Sequence, residues 1–175
     1  MVLKRIRYYV VALVLVVITV GGYIVWQQQT KSVPMLTEVQ VADKVVVDEW
    51  YAPLFPMMIG PVPVEASVAS TTQDRTKGLS NTPYLPEGVV KLFVFDESET
   101  WSFWMKDMNY SIDIIWIDDV GKIVHIEENV TPDSYPNSFV PNQSAKYVVE
   151  TREGFVEEHS VVVGDLVVLP KGGLE

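Results

Sequence analysis

Between Trp101 and Lys106 the chain reads Trp-Ser-Phe-Trp-Met-Lys. If this run is extended, alternation puts Trp104 and Lys106 on one face and Phe103 and Met105 on the other. An aromatic plate beside a cation can stack on a sugar ring or hold a carboxylate. The plainer role is a core tryptophan past which the lysine stem reaches solvent. Asp113 sits between apolar residues, so on a buried face its charge requires a partner. Arg75 and Lys106 are the available cations, and an Arg75–Asp113 or Arg75–Glu150 pair would orient the segment around Arg75 against a sheet. Arg75, Trp104, Lys106, Asp113 and Glu150 are therefore the candidate ligand-binding residues.

Other constellations carry less chemistry. His125 has Asp118, Asp119, Glu127 and Glu128 near it in sequence, but the spacing matches no calcium loop or zinc motif, and a solvated acidic face explains it. His159, Ser160 and Asp165 are the residue types of a nucleophilic triad. Adjacent residues on a strand point to opposite faces, however, and no Gly-x-Ser-x-Gly elbow surrounds a serine. The sequence holds no cysteine, which excludes disulfides, thiolate metal sites and a cysteine nucleophile. No catalytic residue, cofactor or metal is assigned. Asn109, Asn129 and Asn142 open N-glycosylation acceptor sequences, which matter only in a cell with that machinery.

The elements that would position these residues read as strands. Short apolar runs with period-two texture occur at 64–70, 91–96, 101–107, 111–118, 122–128, 145–151 and 161–169, separated by turn residues. Asp118 to Gly121 reads as a hairpin turn. The segment Thr72 to Asn81 is the exception, where Thr72 or Asp74 caps one or two helical turns and Gly78 ends them. So many short strands cannot bury both faces as a flat sheet, and curling removes exposed edges. The expected fold is mainly β, a small barrel-like or compact sandwich domain with one short helix, plus an N-terminal transmembrane helix.

That last helix is read from Tyr8 to Trp26, 19 residues without a charge and bounded by Tyr8, Tyr9, Tyr23 and Trp26. Its length suits a hydrocarbon core of roughly 30 Å, and aromatic rings favour the headgroup boundary. Lys4, Arg5 and Arg7 place the N-terminus in the cytoplasm by the positive-inside rule. Bulky Tyr23, Ile24, Val25 and Trp26 follow Gly21-Gly22, which argues for an uncleaved signal anchor over a cleaved signal peptide. The expected organisation is a basic tail at 1–7, the anchor at 8–26, a linker or stalk at 27–61 whose residues 36–60 are either stalk or packed on the domain, a β-rich domain at 62–169 and a tail at 170–175. Beyond residue 26 the chain carries 10 basic and 23 acidic side chains, a net of −13. Such charge repels phosphate backbones, so nucleic acid is excluded as a partner.

Several motifs share one further property. Arg75-Thr-Lys-Gly78-Leu79, Leu85-Pro86-Glu87, Leu92 to Phe95, Phe103-Trp104-Met105-Lys106, Ile112 to Ile115, Ile117-Asp118, Tyr147 to Glu150, Gly154 and Gly164-Asp165 resemble the domain of unknown function 192 (DUF192) family in order and spacing. The likeness runs through roughly residues 62–169. It implies a small secreted or membrane-anchored β-rich domain with no agreed activity. The family pattern has methionine and a nearby arginine after Gly-Leu, where this chain has Ser80-Asn81-Thr82. It has Gly-Met before Leu-Phe, where this chain has Val90-Lys91. The expected function is an extracytoplasmic binding module for an envelope glycan or peptide, with the bilayer as a partner through residues 8–26. An assembly or scaffolding partner of a membrane complex is the alternative, and a hydrolase using Asp113, Glu150 or His125 a third.

Overall fold

In the computed structural model, residue 40, residue 44 and residues 46–174 are described. The proposed anchor at 8–26 lies outside them. Among the described residues no helix is long and apolar enough to cross a membrane. The chain divides into units at 1–41 and 42–175, and the second is the β domain.

Among the described residues nine strands follow in chain order: β1 (Leu54–Ile59), β2 (Val62–Ala69), β3 (Val89–Glu99), β4 (Phe103–Trp104), β5 (Ile112–Ile117), β6 (Ile123–Val130), β7 (Ser138–Phe139), β8 (Ala145–Arg152) and β9 (Val167–Val168). Among the described residues the α-helices that follow β1 are α1 (Thr72–Lys77) and α2 (Phe155–His159), with single helical turns at Val47–Tyr51 and Pro132–Ser134. A seven-stranded sheet has the order β6-β5-β8-β3-β2-β1-β9, and β4 pairs with β7 in a separate ribbon. All neighbours are antiparallel except β2 and β3, which are parallel and therefore need a crossover. That crossover, residues 70–88, carries α1.

The sheet curls into a half-barrel whose edges meet at one end. Ile123 N donates to Asp165 O at 2.9 Å, Gly164 N to Ile123 O at 2.9 Å and Val167 N to Gly121 O at 2.7 Å. The Asp118–Gly121 turn makes this closure possible. Asp118 Oδ1 accepts from Val120 N and Lys122 N, and Gly121 takes φ +86°. A Cβ on Gly121 would lie 2.8 Å from Val167 O.

One face of the sheet takes apolar side chains from all seven strands, among them Ile59, Ala66, Leu92, Ile115, Ile123, Val149 and Val167, and Phe155 and Val156 of α2 pack with them. It is the interior of the curl. The other face bears Phe93, Phe95, Ile114, Trp116 and Val148, covered by Tyr51, Leu79, Leu85 and Met105 from outside the sheet. β5 is buried at every residue, as a central strand covered on both faces must be.

The structure corrects several sequence expectations. The packed part of 27–61 includes Tyr51, which is 1% exposed, and β1, which pairs along its whole length with β2. Within 161–169 only Val167–Val168 is strand, because 161–166 turns to reach β6. Within 101–107 only Phe103–Trp104 pairs. Beside the expected helix there is a second, α2, whose Phe155 and Val156 plug the curl.

Candidate functional site

The outer face carries a buried polar row. Ser67 of β2, Lys91 of β3 and Glu150 of β8 are directly opposite one another in register, with Ile114 of β5 next to Glu150. Lys91 Nζ donates to Ser67 Oγ at 3.1 Å. Glu150 is 5% exposed and its Oε2 has no hydrogen-bond partner. Burial pushes its carboxyl up to about 8, with the Lys91 charge opposing the shift. The same burial pushes the Lys91 ammonium down, and Glu150 is the foremost opposing charge. Close by, Thr82 Oγ1 donates to Leu79 O at 2.6 Å, so the Tyr110 hydroxyl 2.6 Å away is the donor to Thr82. Tyr51 Oη donates to Tyr84 O at 2.5 Å. Burial raises both phenols.

Above this row α1 and β4 form the walls of a cleft. Thr71 caps α1, its Oγ1 accepting from Asp74 N at 3.1 Å, and Gly78 ends the helix at φ +49°. A Cβ on Gly78 would come 3.2 Å from the Phe93 ring, so the glycine lets the helix end sit close on β3. Arg75 pins the helix to the sheet. Its Nη1 donates to Ser70 O and to Val94 O (2.8 Å), and its guanidinium lies 5.2 Å from the Phe95 ring centre. Trp101 stacks on Phe95 at 3.9 Å. The opposite wall obeys alternation: Phe103 turns inward against Phe93 at 4.9 Å, Met105 is 2% exposed, and Trp104 faces out, 52% exposed.

The cleft encloses about 330 Å3, with Phe93, Phe95 and Glu150 among its lining and Arg75, Lys77, Ser80, Trp101 and Trp104 around them. An adjoining depression of about 780 Å3 shares Lys77, Ser80 and Trp104 and adds Trp50, Lys106 and Asp107. Beyond Lys77 and Gly78, a third hollow of about 420 Å3 is lined by Tyr51, Ser67, Thr82 and Lys91. Two bonds join the walls: Ser80 Oγ donates to Lys106 O at 2.9 Å and Asn81 N to Asp107 O at 2.8 Å.

A family model for DUF192, described as an uncharacterized ACR, matches residues 57–169. The chain belongs to the DUF192 family. No curated protein matches the sequence. Two crystal structures share the DUF192 domain's fold. One, from Sinorhizobium meliloti 1021 and described as a candidate transcription regulator, is 26% identical with a TM-score of 0.62, over 67% of this chain and 93% of that one. The other, a protein of unknown function from Novosphingobium aromaticivorans DSM 12444, is 19% identical with a TM-score of 0.63, over 66% and 85%.

Within this DUF192 domain, three of the residues singled out from sequence, Arg75, Trp104 and Glu150, line one cleft, and Lys106 lines the depression beside it. Asp113 does not join them. It is fully buried on the inner face, where Oδ1 accepts from Asn129 N at 2.8 Å and Oδ2 from Val156 N at 3.0 Å. Its partners are backbone amides of β6 and α2, not Arg75 or Lys106. Arg75 is likewise satisfied by carbonyls, so the expected pairing of Arg75 with Asp113 or Glu150 is replaced by one between Arg75 and the sheet backbone. His125 bonds Glu127 at 2.9 Å and packs on Trp116, outside the cleft. Asp165 Oδ2 accepts from Val162 N, and the His159 ring packs on Phe155. Among the described residues no three acid or histidine side chains gather to hold a metal.

Sequence reasoning missed Lys91, Ser67 and the Tyr51–Thr82–Tyr110 hydroxyls. Lys91 gave a signal: it interrupts an apolar strand just as Asp113 does, which demands a buried partner.

Proposed function

We propose that this chain is a single-pass membrane protein, anchored by residues 8–26 with its N-terminus in the cytoplasm, whose DUF192 domain is an extracytoplasmic binding module for an envelope glycan or peptide. The groove formed by the cleft and its adjoining depression is the binding site. Trp104 carries this reading. A tryptophan 52% exposed at the wall of a groove, with Lys106 Nζ 5.9 Å from its ring centre, is poised for a ligand rather than for the core. Buried Glu150 at the floor, with an oxygen left unpartnered, supplies a polar contact inside an otherwise aromatic cleft. The regulator description of the Sinorhizobium structure belongs to that protein, and here a net of −13 beyond residue 26 opposes nucleic-acid binding.

The test is a thermal-shift screen of the full-length chain in detergent against glycan fragments and short peptides. A ligand present at about 100-fold its Kd stabilises by about 2.7 kcal/mol, several degrees in Tm. Trp104→Ala should abolish that shift while leaving the ligand-free Tm in place. A panel that shifts nothing removes both ligand classes.

The scaffolding alternative has one observation in its favour. Val120, Val162, Val163, Leu166 and Val168 are each more than half exposed on the two segments that close the curl. Co-purification of a membrane partner that Val162→Asp eliminates would favour it, whereas a monomer in mild detergent would remove it.

A further inference from the structure

The groove presents one arrangement twice. Lys77 Nζ lies 5.4 Å from the Trp50 ring centre, and Lys106 Nζ lies 5.9 Å from that of Trp104. Both pairs line the same depression. Arg75 lines the adjoining cleft, so three of the 10 basic side chains beyond residue 26 gather here, in a region whose net charge is −13. Their acidic neighbours in the two hollows are Asp107 and Glu150. Glu150, pushed up to about 8, is mostly uncharged at neutral pH. These two hollows thus hold more cations than carboxylates on an acidic domain, with Glu49 and Asp74 lining the third hollow that Lys77 also borders. Lys77 and Lys106 are exposed, and each contacts an indole while forming no ion pair with a described carboxylate, so both ammonium groups are open to a ligand.

We propose that the groove binds an acidic glycan, a polymer of carboxylated sugars, with successive rings on Trp50 and Trp104 and their carboxylates on Lys77 and Lys106. This inference rests on the binding-module reading and names its ligand class. The apolar face of a sugar ring suits an indole. Each ammonium ends a flexible stem, and an exposed ammonium–ring contact is weak, so the lysine swings to a carboxylate at small cost. A repeated ring-and-cation unit fits a ligand that repeats ring and carboxylate at each residue. A peptide repeats ring and carboxylate only where its own sequence alternates them, whereas a polyuronate does so at every residue.

The experiment is isothermal titration of the full-length chain in neutral detergent with tetragalacturonate and tetramannuronate, with maltotetraose as the neutral sugar of equal length and tetra-alanine as the peptide. At least one oligouronate should bind about tenfold or more tighter than maltotetraose, and added salt should narrow the gap. Lys77→Gln and Lys106→Gln should each weaken oligouronate binding several-fold without changing Tm, since both side chains are exposed. Equal binding of maltotetraose overturns the acidic assignment and leaves a glycan module. Preference for tetra-alanine overturns it and leaves a peptide module. If none of the four binds, both the assignment and the binding-module reading fall.

Discussion

Asp113 and Glu150 are both buried carboxylates, on neighbouring strands and one register step apart, since Asp113 faces Thr151 and Ile114 faces Glu150. The pleat sends them to opposite sides of the sheet, where they meet opposite circumstances. On the inner side Asp113 receives two backbone amides, one from the end of β6 and one from the first turn of α2, and both its oxygens are used. On the outer side Glu150 keeps an unpartnered oxygen beneath a cleft, and its proton is held against the usual carboxylate behaviour. A satisfied buried charge fastens elements together, whereas an unsatisfied one costs stability and is expected where a ligand or a proton is handled. The inner face builds the domain and the outer face carries the cleft.

The sharpest way to break this contrast is Asp113→Ala. It strands the buried Val156 amide and the part-buried Asn129 amide and should cost about 2–4 kcal/mol in urea unfolding, at about 1–3 kcal/mol for the buried donor, less for the other, plus lost packing. A cost near zero would mean that Asp113 fastens nothing.

Glu150 should behave in the reverse sense. Its folded value of about 8 stands above the ordinary 4.5, so the folded state holds this proton more tightly than the unfolded chain between those limits. Its contribution is full below about pH 4.5, is lost as pH rises to about 8 and is level above, a span of a few kcal/mol. Glu150→Gln should lack that slope. The difference between wild-type and variant Tm across pH 4.5–8 measures it, and parallel curves would show that the carboxyl ionises normally.

Gly121→Ala probes the inner closure. With φ +86° and Val167 O in the way, it should cost about 1–3 kcal/mol and raise hydrogen exchange at Val167 and Ile123.

The smallest stability effect belongs to Trp104→Ala. At 52% exposure it should change unfolding by no more than about 0.5 kcal/mol while removing the ligand-induced shift. A large loss of stability would make Trp104 part of the fold.

Period-two alternation was a reliable guide where a strand has one buried and one exposed face. It separated Trp104 and Lys106 from Phe103 and Met105, but did not say which pair faces inward: the plainer expectation of a core Trp104 is reversed, since Trp104 is exposed and Met105 buried. It was silent on sides where both faces are covered: β5 is buried at all six residues, so nothing local says which face Asp113 shares with which partner. Arg75 was legible as the residue that orients α1, but its acceptors, Ser70 O and Val94 O, are backbone atoms, which no side-chain pairing rule can find. β1 was obscured by Pro53 and Pro56, and α2 by its length of five residues, too short for a helical period to show.

Composition and spacing were enough to establish a mainly β domain, its short helix at Thr72 and its hairpin at Asp118, because each of these is a local pattern, and the ordered motifs carried a resemblance to the DUF192 family that the family model shows to be membership. Tertiary structure alone decided that Glu150 lies beside Lys91 beneath a cleft, that Asp113 lies away from it, and that Trp50 and Trp104 share one groove. Those are relations between strands distant in sequence, and they are set by sheet order and by which side of the pleat each residue takes. Neither is written in any single stretch of chain.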